Sequence, residues 1–232
     1  MTASPGPDRN GGRAGSPAAV FDLDGTLLDT LPDLHGSLNR TLAAAGLPAH
    51  TLAECRAMVG NGLSRLVRDA VPEDLRGDAA RLESLRRAFR KDYTAHQLEL
   101  TRPYPGIPEL LEALSALGWP MAVLSNKDHG NTLAVTGHFF PGAFKAVLGV
   151  AESRPPKPDP QGAREAAAIL GRQGRDVFYI GDSENDMRTA AVCGFTRVGA
   201  GWGFRTREAL LAAGAEAVLD SPLDFLGIWE GL

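Results

Sequence analysis

The chain of 232 residues is long enough for one large domain, or for a domain carrying a sizeable insertion. Hydrophobic residues make up 44% and charged residues 22%, which excludes a wholly disordered chain and leaves apolar material for a core. With Lys+Arg at 24 and Asp+Glu at 28, the net charge of −4 leaves no basic excess for general binding to nucleic acid or to an acidic membrane surface.

Residues 1–17 are rich in Gly, Pro and Ser and lack the apolar run of a secretory signal, so they read as a flexible leader. Cys55 and Cys193 are too few and too far apart for a disulfide framework or a zinc site. They read as buried, reduced thiols, which suits a cytoplasmic location. Nowhere do about 18 apolar residues run together, the length a membrane-spanning helix requires.

Order is expected from Ala18. Ala18-Ala19-Val20-Phe21 is an apolar run ending at Asp22, the pattern of a buried parallel strand. Similar runs cover Met121 to Leu124, Ala146 to Leu148, Val177 to Ile180 and Ala217 to Leu219, with a weaker one over Phe195 to Val198. Helical patterns lie between them, as at Ala163 to Leu170 and Thr206 to Ala213. This alternation predicts an α/β fold built on a doubly wound parallel sheet. The gap after the first strand differs. Leu31, Leu34, Leu38, Leu42 and Ala45 keep helical spacing, as do Leu63, Leu66, Val67 and Ala70, and Leu82, Leu85, Phe89 and Tyr93. The spacing predicts a small all-helical insertion over 31–101, with 18–30 and 102–232 forming the α/β core and Pro103, Pro105 and Gly106 marking the return.

Three strand ends carry Ser or Thr with an acidic residue three positions later: Thr26 and Asp29, Ser125 and Asp128, Ser183 and Asp186. Each matches a capping box at a helix start. Helix N-termini at the carboxyl ends of parallel strands also make a place where anions bind.

Asp22-Leu23-Asp24-Gly25-Thr26 puts two carboxylates two residues apart at a strand end, with Gly25 supplying the freedom to turn. Gly181-Asp182-Ser183-Glu184-Asn185-Asp186 ends another predicted strand and brings more acid to the same edge. Two carboxylates 4 Å apart repel by about 4 kcal/mol at an effective dielectric of 20. A hard cation with oxygen ligands such as Mg²⁺ offsets that, and Lys157, stiffened between Pro156 and Pro158, is placed to neutralise more.

In this order Asp22-Leu23-Asp24-Gly25-Thr26, Ser125-Asn126, Lys157-Pro158 and Gly181-Asp182 with Asp186 resemble the four motifs of the haloacid dehalogenase superfamily, over nearly the whole chain after Ala18. The helical insertion is similar to that family's small cap. Phe21 to Thr30, Pro32-Asp33-Leu34, Val59-Gly60-Asn61-Gly62-Leu63, Tyr104-Pro105-Gly106 and Ser125-Asn126-Lys127 look like the phosphoglycolate phosphatase branch. The resemblance implies a Mg²⁺-dependent phosphatase of a small phosphorylated metabolite, foremost 2-phosphoglycolate, working through an aspartyl phosphate. It implies Asp22 as nucleophile and Asp24 as general acid and base, with neighbouring carboxylates raising the pKa of Asp24. The metal would be held by Asp22, Asp182 and the backbone carbonyl of Asp24, with Asp186 behind them pairing with Lys157. Thr26, Ser125, Asn126 and Lys157 are the substrate-binding candidates in the core. Arg65, or backbone N–H groups near Gly62, are those in the cap for a substrate carboxylate.

Phosphatases of nucleotides, pyrophosphate or sugar phosphates are the related alternatives. A phosphosugar mutase shares the aspartate pair, whereas the acid at Asp24 argues against dehalogenation. A non-catalytic binding protein is a further alternative, which Mg²⁺-dependent turnover would exclude. The histidines show no metal-ligand spacing, and Trp119, Trp202 and Trp229 read as packing residues. The sequence leaves the oligomeric state open.

Overall fold

The computed structural model describes residues 16–232, so all but the last two residues of the expected leader lie outside the described residues. Strand β1 (Ala18–Phe21) is buried at all four positions. A strand with no polar side must be covered on both faces, and its alternate side chains enter two different clusters. Ala19 and Phe21 pack with Ile107, Leu110 and Leu114 of α5 (Ile107–Ala116). Ala18 and Val20 pack with Ala163, Ala166 and Leu170 of α7 (Gln161–Leu170).

In chain order the elements after β1 are β2 (Leu28–Asp29), the helices α1 (Leu31–Ala44), α2 (Leu52–Met58), α3 (Leu63–Ala70) and α4 (Ala79–His96), then β3 (Arg102–Pro103) and α5. They continue with β4 (Met121–Asp128), α6 (His129–Phe139), β5 (Ala146–Val150), α7, β6 (Val177–Gly181), α8 (Glu184–Cys193), β7 (Thr196–Ala200), α9 (Arg207–Ala212), β8 (Ala217–Leu219) and α10 (Phe225–Ile228). Among the described residues, six strands form one parallel sheet in the order β5-β4-β1-β6-β7-β8. The chain winds one way from β1 to β4 and β5, then returns to the other side of β1 with β6. The order therefore reverses at β1, and the crevice of such a sheet lies beyond the carboxyl ends of β1, β4 and β6.

The apolar runs of the sequence fall on the six strands of this sheet. Two further strands, β2 and β3, are only two residues each and pair antiparallel, Leu28 with Pro103 and Asp29 with Arg102. No period shows in two residues, so the sequence gives no sign of them. Next to this ribbon the buried carboxylate of Asp33 accepts from the Leu100 and Thr101 amides at 2.9 and 2.8 Å, and from the Thr101 hydroxyl at 2.8 Å. One side chain thus ties together the two places where the chain enters and leaves α1–α4.

Those four helices share a hydrophobic cluster of their own, built from Leu34, Leu38, Leu66, Phe89 and others on the expected spacing, and joined by Phe204 from the loop after β7. Cys55 is buried there and its thiol is pushed up to about 11 by desolvation, whereas Cys193 is only half-buried; both are free.

Of the three expected capping boxes, only that of Ser183 and Asp186 forms, at the start of α8. Asp29 instead accepts from the Leu31 amide, and α1 begins after Thr30 without a side-chain cap. Asp128 caps α6 alone by accepting from Gly130, because β4 runs on to Asp128 and the Ser125 hydroxyl accepts from Lys127.

Candidate active site

The reversal at β1 gathers the acidic loops. Carboxylate oxygens of Asp22, Asp182 and Asp186 lie within 4.8 Å of one another, all buried. Asp22 leaves β1 just as its backbone N–H closes on Ile180 of β6 at 2.9 Å, which fixes the two strand ends side by side. Lys157 Nζ sits between the carboxylates, 2.8 Å from Asp22 Oδ1, 2.7 Å from Asp186 Oδ1 and 3.1 Å from the Leu124 carbonyl. Burial alone would lower its pKa, but the charges of Asp186 and Asp22 hold it well above the ordinary lysine value.

One ammonium against three carboxylates leaves two negative charges in a buried site. The acids register the excess. Burial, then the charge of Asp186, pushes Asp22 well above the usual carboxylate range. The same two causes raise Asp182 to about 7 although the Phe204 amide donates to it. Both oxygens of Asp186 are already occupied, by Lys157, the Tyr179 hydroxyl, and the Ser183 amide and hydroxyl. Asp22 Oδ1 accepts from Leu23 and faces Lys157, and Asp182 Oδ2 accepts from Phe204. Asp22 Oδ2 and Asp182 Oδ1 have no hydrogen-bond partner among the described residues. Two unshared carboxylate oxygens, in a buried cluster with more acids than its one ammonium can offset, fit a hard divalent cation.

Pairing of β4 with β5 loses register between Leu124 and Asp128, so Ser125, Asn126 and Lys127 turn out of the ladder at the crevice. Asn126 locks two loops together. Its Oδ1 accepts from the Lys157 amide at 2.6 Å, and its Nδ2 donates to the carbonyls of Lys157 and of Gly60. Lys127 is buried and donates to Asp24 Oδ1 at 2.7 Å and to the Tyr93 hydroxyl of α4 at 2.8 Å. Its Nζ also lies 4.6 Å from the centre of the Tyr93 ring. Desolvation works against its charge, but Asp24 and Tyr93 outweigh this and raise its pKa. Asp24 therefore faces an ammonium, not the ring of carboxylates expected from its sequence neighbours; those carboxylates converge on Lys157 instead. A cleft opens from Asp22 and Asp24 along Ser125 and Lys127, roofed by Gly60 and Gly62.

Six of the sequence candidates, Asp22, Asp24, Ser125, Asn126, Lys157 and Asp182, come together here, with Asp186 behind them. Thr26 does not line the cleft: it is fully buried, its carbonyl accepts from Trp202 Nε1, and its hydroxyl has no partner among the described residues. Arg65 points away as well. It is exposed on α3, where the i,i+4 spacing pairs it with Asp69 at 2.6 Å. Lys127, Tyr93 and Phe204 are site residues that sequence reasoning passed over. Only Lys127 had a signal: it directly follows Ser125-Asn126 in the branch pattern.

The family model described as haloacid dehalogenase-like hydrolase matches residues 19–200. A phosphoglycolate phosphatase of Cereibacter sphaeroides is 37% identical over 182 residues, covering 77% of this chain and 82% of that protein. One of Mesorhizobium japonicum is 35% identical over 199 residues, covering 83% and 86%. A crystal structure from Lactobacillus delbrueckii subsp. bulgaricus, provisionally described as a phosphoglycolate phosphatase, superposes with a TM-score of 0.85 at 29% identity, over 91% of this chain and 97% of that one. Sequence, sheet order and acidic crevice agree, and the chain belongs to the haloacid dehalogenase-like hydrolases as a phosphoglycolate phosphatase-like phosphoric monoester hydrolase.

Proposed function

We propose that the protein is a Mg²⁺-dependent phosphatase of 2-phosphoglycolate, releasing glycolate and phosphate through an aspartyl phosphate on Asp22, with residues 31–101 acting as a cap over the site. The observation that carries this reading is the buried Asp22–Asp182–Asp186 cluster bridged by Lys157, opening into a cleft under Gly60 and Gly62. Relatives named phosphoglycolate phosphatase support this choice of substrate.

Asp22 Oδ2 is the nucleophile, its other oxygen held by the Leu23 amide and Lys157. Asp24 protonates the leaving oxygen as the phosphorus–oxygen bond breaks, and Lys127 stabilises the carboxylate that remains. Asp24 then takes a proton from the water that attacks the aspartyl phosphate, which restores Asp22 and releases phosphate. Lys157, the Ser125 hydroxyl and the Asn126 backbone N–H would carry the phosphoryl oxygens. Asp22, Asp182 and the Asp24 carbonyl would hold Mg²⁺, whose charge offsets that of the attacking and transferring oxygens.

The substrate carboxylate would bind at the start of α3. Gly62 offers no side-chain cap and, with Leu63, lines the cleft, so the first amides of this helix are left without a side-chain acceptor where an anion is favoured. Gly62 has φ of 79°, and a Cβ there would meet the Asn126 carbonyl at 3.1 Å. Gly62→Ala should therefore raise KM for 2-phosphoglycolate by roughly tenfold or more, the equivalent of 1–3 kcal/mol of strain, with a much smaller change in kcat. Steady-state kinetics check this; an unchanged KM would remove the α3 amides from substrate binding.

The substrate is tested by phosphate release from a panel containing 2-phosphoglycolate, nucleotides, pyrophosphate and sugar phosphates, with and without MgCl₂. A kcat/KM for 2-phosphoglycolate far below that for another member would reassign the substrate. Isomerised sugar phosphate without free phosphate would make the protein a mutase.

Metal binding has a pH signature. Without metal, folded Asp182 keeps a proton up to about pH 7 that the unfolded chain releases near 3.8. The folded state then binds more protons, so stability falls as pH rises through that window. Mg²⁺ at 100 times its Kd should add about 2.7 kcal/mol, roughly 5–10 °C in Tm, at pH 7.5, and less at pH 5.5 where it must displace protons. Calorimetry with MgCl₂ or EDTA at both values checks this. Equal shifts at the two pH values would contradict it.

A further inference from the structure

Five residues after β7 touch the acidic cluster, the first loop and the helical segment at once. Trp202 Nε1 donates to the Thr26 carbonyl at 2.9 Å. The Phe204 amide donates to Asp182 Oδ2 at 2.7 Å, while the Phe204 ring is buried in the hydrophobic cluster of α1–α4. Around this residue two arginines reach in opposite directions. Arg56 of α2 donates through Nε to the Phe204 carbonyl at 3.1 Å and through Nη2 to the Gly203 carbonyl. Arg205 donates back to the carbonyls of Arg56 at 3.2 Å and Val59 at 2.7 Å, and its Nε lies 3.4 Å from Glu184. Those carbonyls end α2, where the helix dipole favours a cation. Val59 opens the loop Val59–Gly62 that roofs Asp22.

We propose that Arg56 and Arg205 are positioning residues that make the seating of the Val59–Gly62 loop and the orientation of Asp182 a single event, transmitted through Phe204. The inference rests on the metal-dependent reading above. The same amide that fixes Asp182 belongs to a residue whose ring and carbonyl are gripped by the cap. Unseating the cap shifts Phe204, and Asp182 loses its donor. The coupling must act in both directions, because a loop that favours metal binding is favoured by the metal to the same extent.

Hydrogen exchange gives a readout that does not depend on turnover. In wild type, MgCl₂ should slow exchange of the Val59–Leu63 amides and of the Phe204 amide together. In Arg205→Gln that Mg²⁺-dependent protection should be lost, the MgCl₂ concentration for half-maximal thermal stabilisation should rise at least about tenfold, and kcat/KM should fall by a similar factor, the worth of one hydrogen bond from a charged group. Arg205→Lys, which keeps the cation at the end of α2, should fall between the two. Arg56→Gln removes the opposite arm and should give the same pattern, which keeps the test open if one variant fails to fold. Loss of loop protection with an unchanged MgCl₂ midpoint would make the seam a plain packing contact and overturn the coupling, as would no change in either. A wild type that shows Mg²⁺-linked protection but releases no phosphate would instead sink the functional reading and leave the coupling standing.

Discussion

Asp22→Asn is expected to lose phosphate release by at least about 10⁴-fold, the scale seen when a nucleophile is removed, while the protein stays folded. The amide is nearly the same shape as the carboxylate. Its oxygen can still accept from the Leu23 amide and from Lys157, which hold Asp22 Oδ1 in the native site. What disappears is the anionic oxygen that would attack phosphorus. One negative charge also leaves a cluster in which burial and Asp186 already push Asp22 well above the usual carboxylate range. Without metal the variant should therefore melt no lower than wild type. Phosphate assays, thermal melts and a search for labelled protein after mixing with phosphorus-labelled substrate check this. Turnover within tenfold of wild type, or a phosphorylated variant, would remove Asp22 from the role of nucleophile.

Lys157→Met should damage both stability and turnover. The ammonium is buried, and its removal leaves Asp22 and Asp186 facing each other with their cation gone. Breaking a buried ion pair on one side costs about 3–5 kcal/mol, which for a chain of this size lowers Tm by roughly 10 °C or more. The loss should depend on pH in a definite direction. Lys157 stays charged well beyond the ordinary lysine range, so the wild-type bridge persists across neutral pH. In the variant Asp22, which burial and Asp186 already push above the usual carboxylate range, sheds repulsion only by keeping its proton, so the deficit should be larger at pH 8 than at pH 5. Denaturant unfolding at the two pH values measures it. A deficit of equal size at both would mean that packing around the methylene stem, not charge, was lost.

Much of this architecture can be read in the chain because each informative residue sits beside its own context. Ala18 to Phe21 is apolar without alternation, which requires a strand covered on both faces, and the acid that follows it marks the edge. Leu82, Leu85, Phe89 and Tyr93 keep helical spacing and are the buried residues of α4. What cannot be read depends on partners far away in sequence. Lys127 takes its meaning from Asp24, 103 positions earlier, and from Tyr93, 34 positions earlier. Phe204 looks like any loop aromatic until its amide is seen against Asp182. Arg65 shows the opposite failure: a cation near a glycine-rich loop suggests an anion site, but the nearer Asp69 claims it. The capping patterns at Thr26 and Ser125 fail for a related reason, since the adjoining backbone goes to the β2–β3 ribbon and to an extended β4.

The hydroxyl that α4 delivers to Lys127 also limits how such enzymes can be recombined. A chimera that exchanges residues 31–101 for the matching stretch of a relative imports a new ceiling for the crevice. Unless the donor stretch carries a phenol or another acceptor in place of Tyr93, the transplanted roof strands a dry cation beside Asp24. On the reading proposed here, substrate range and proton transfer would be inherited together, through the Tyr93 oxygen that meets Lys127.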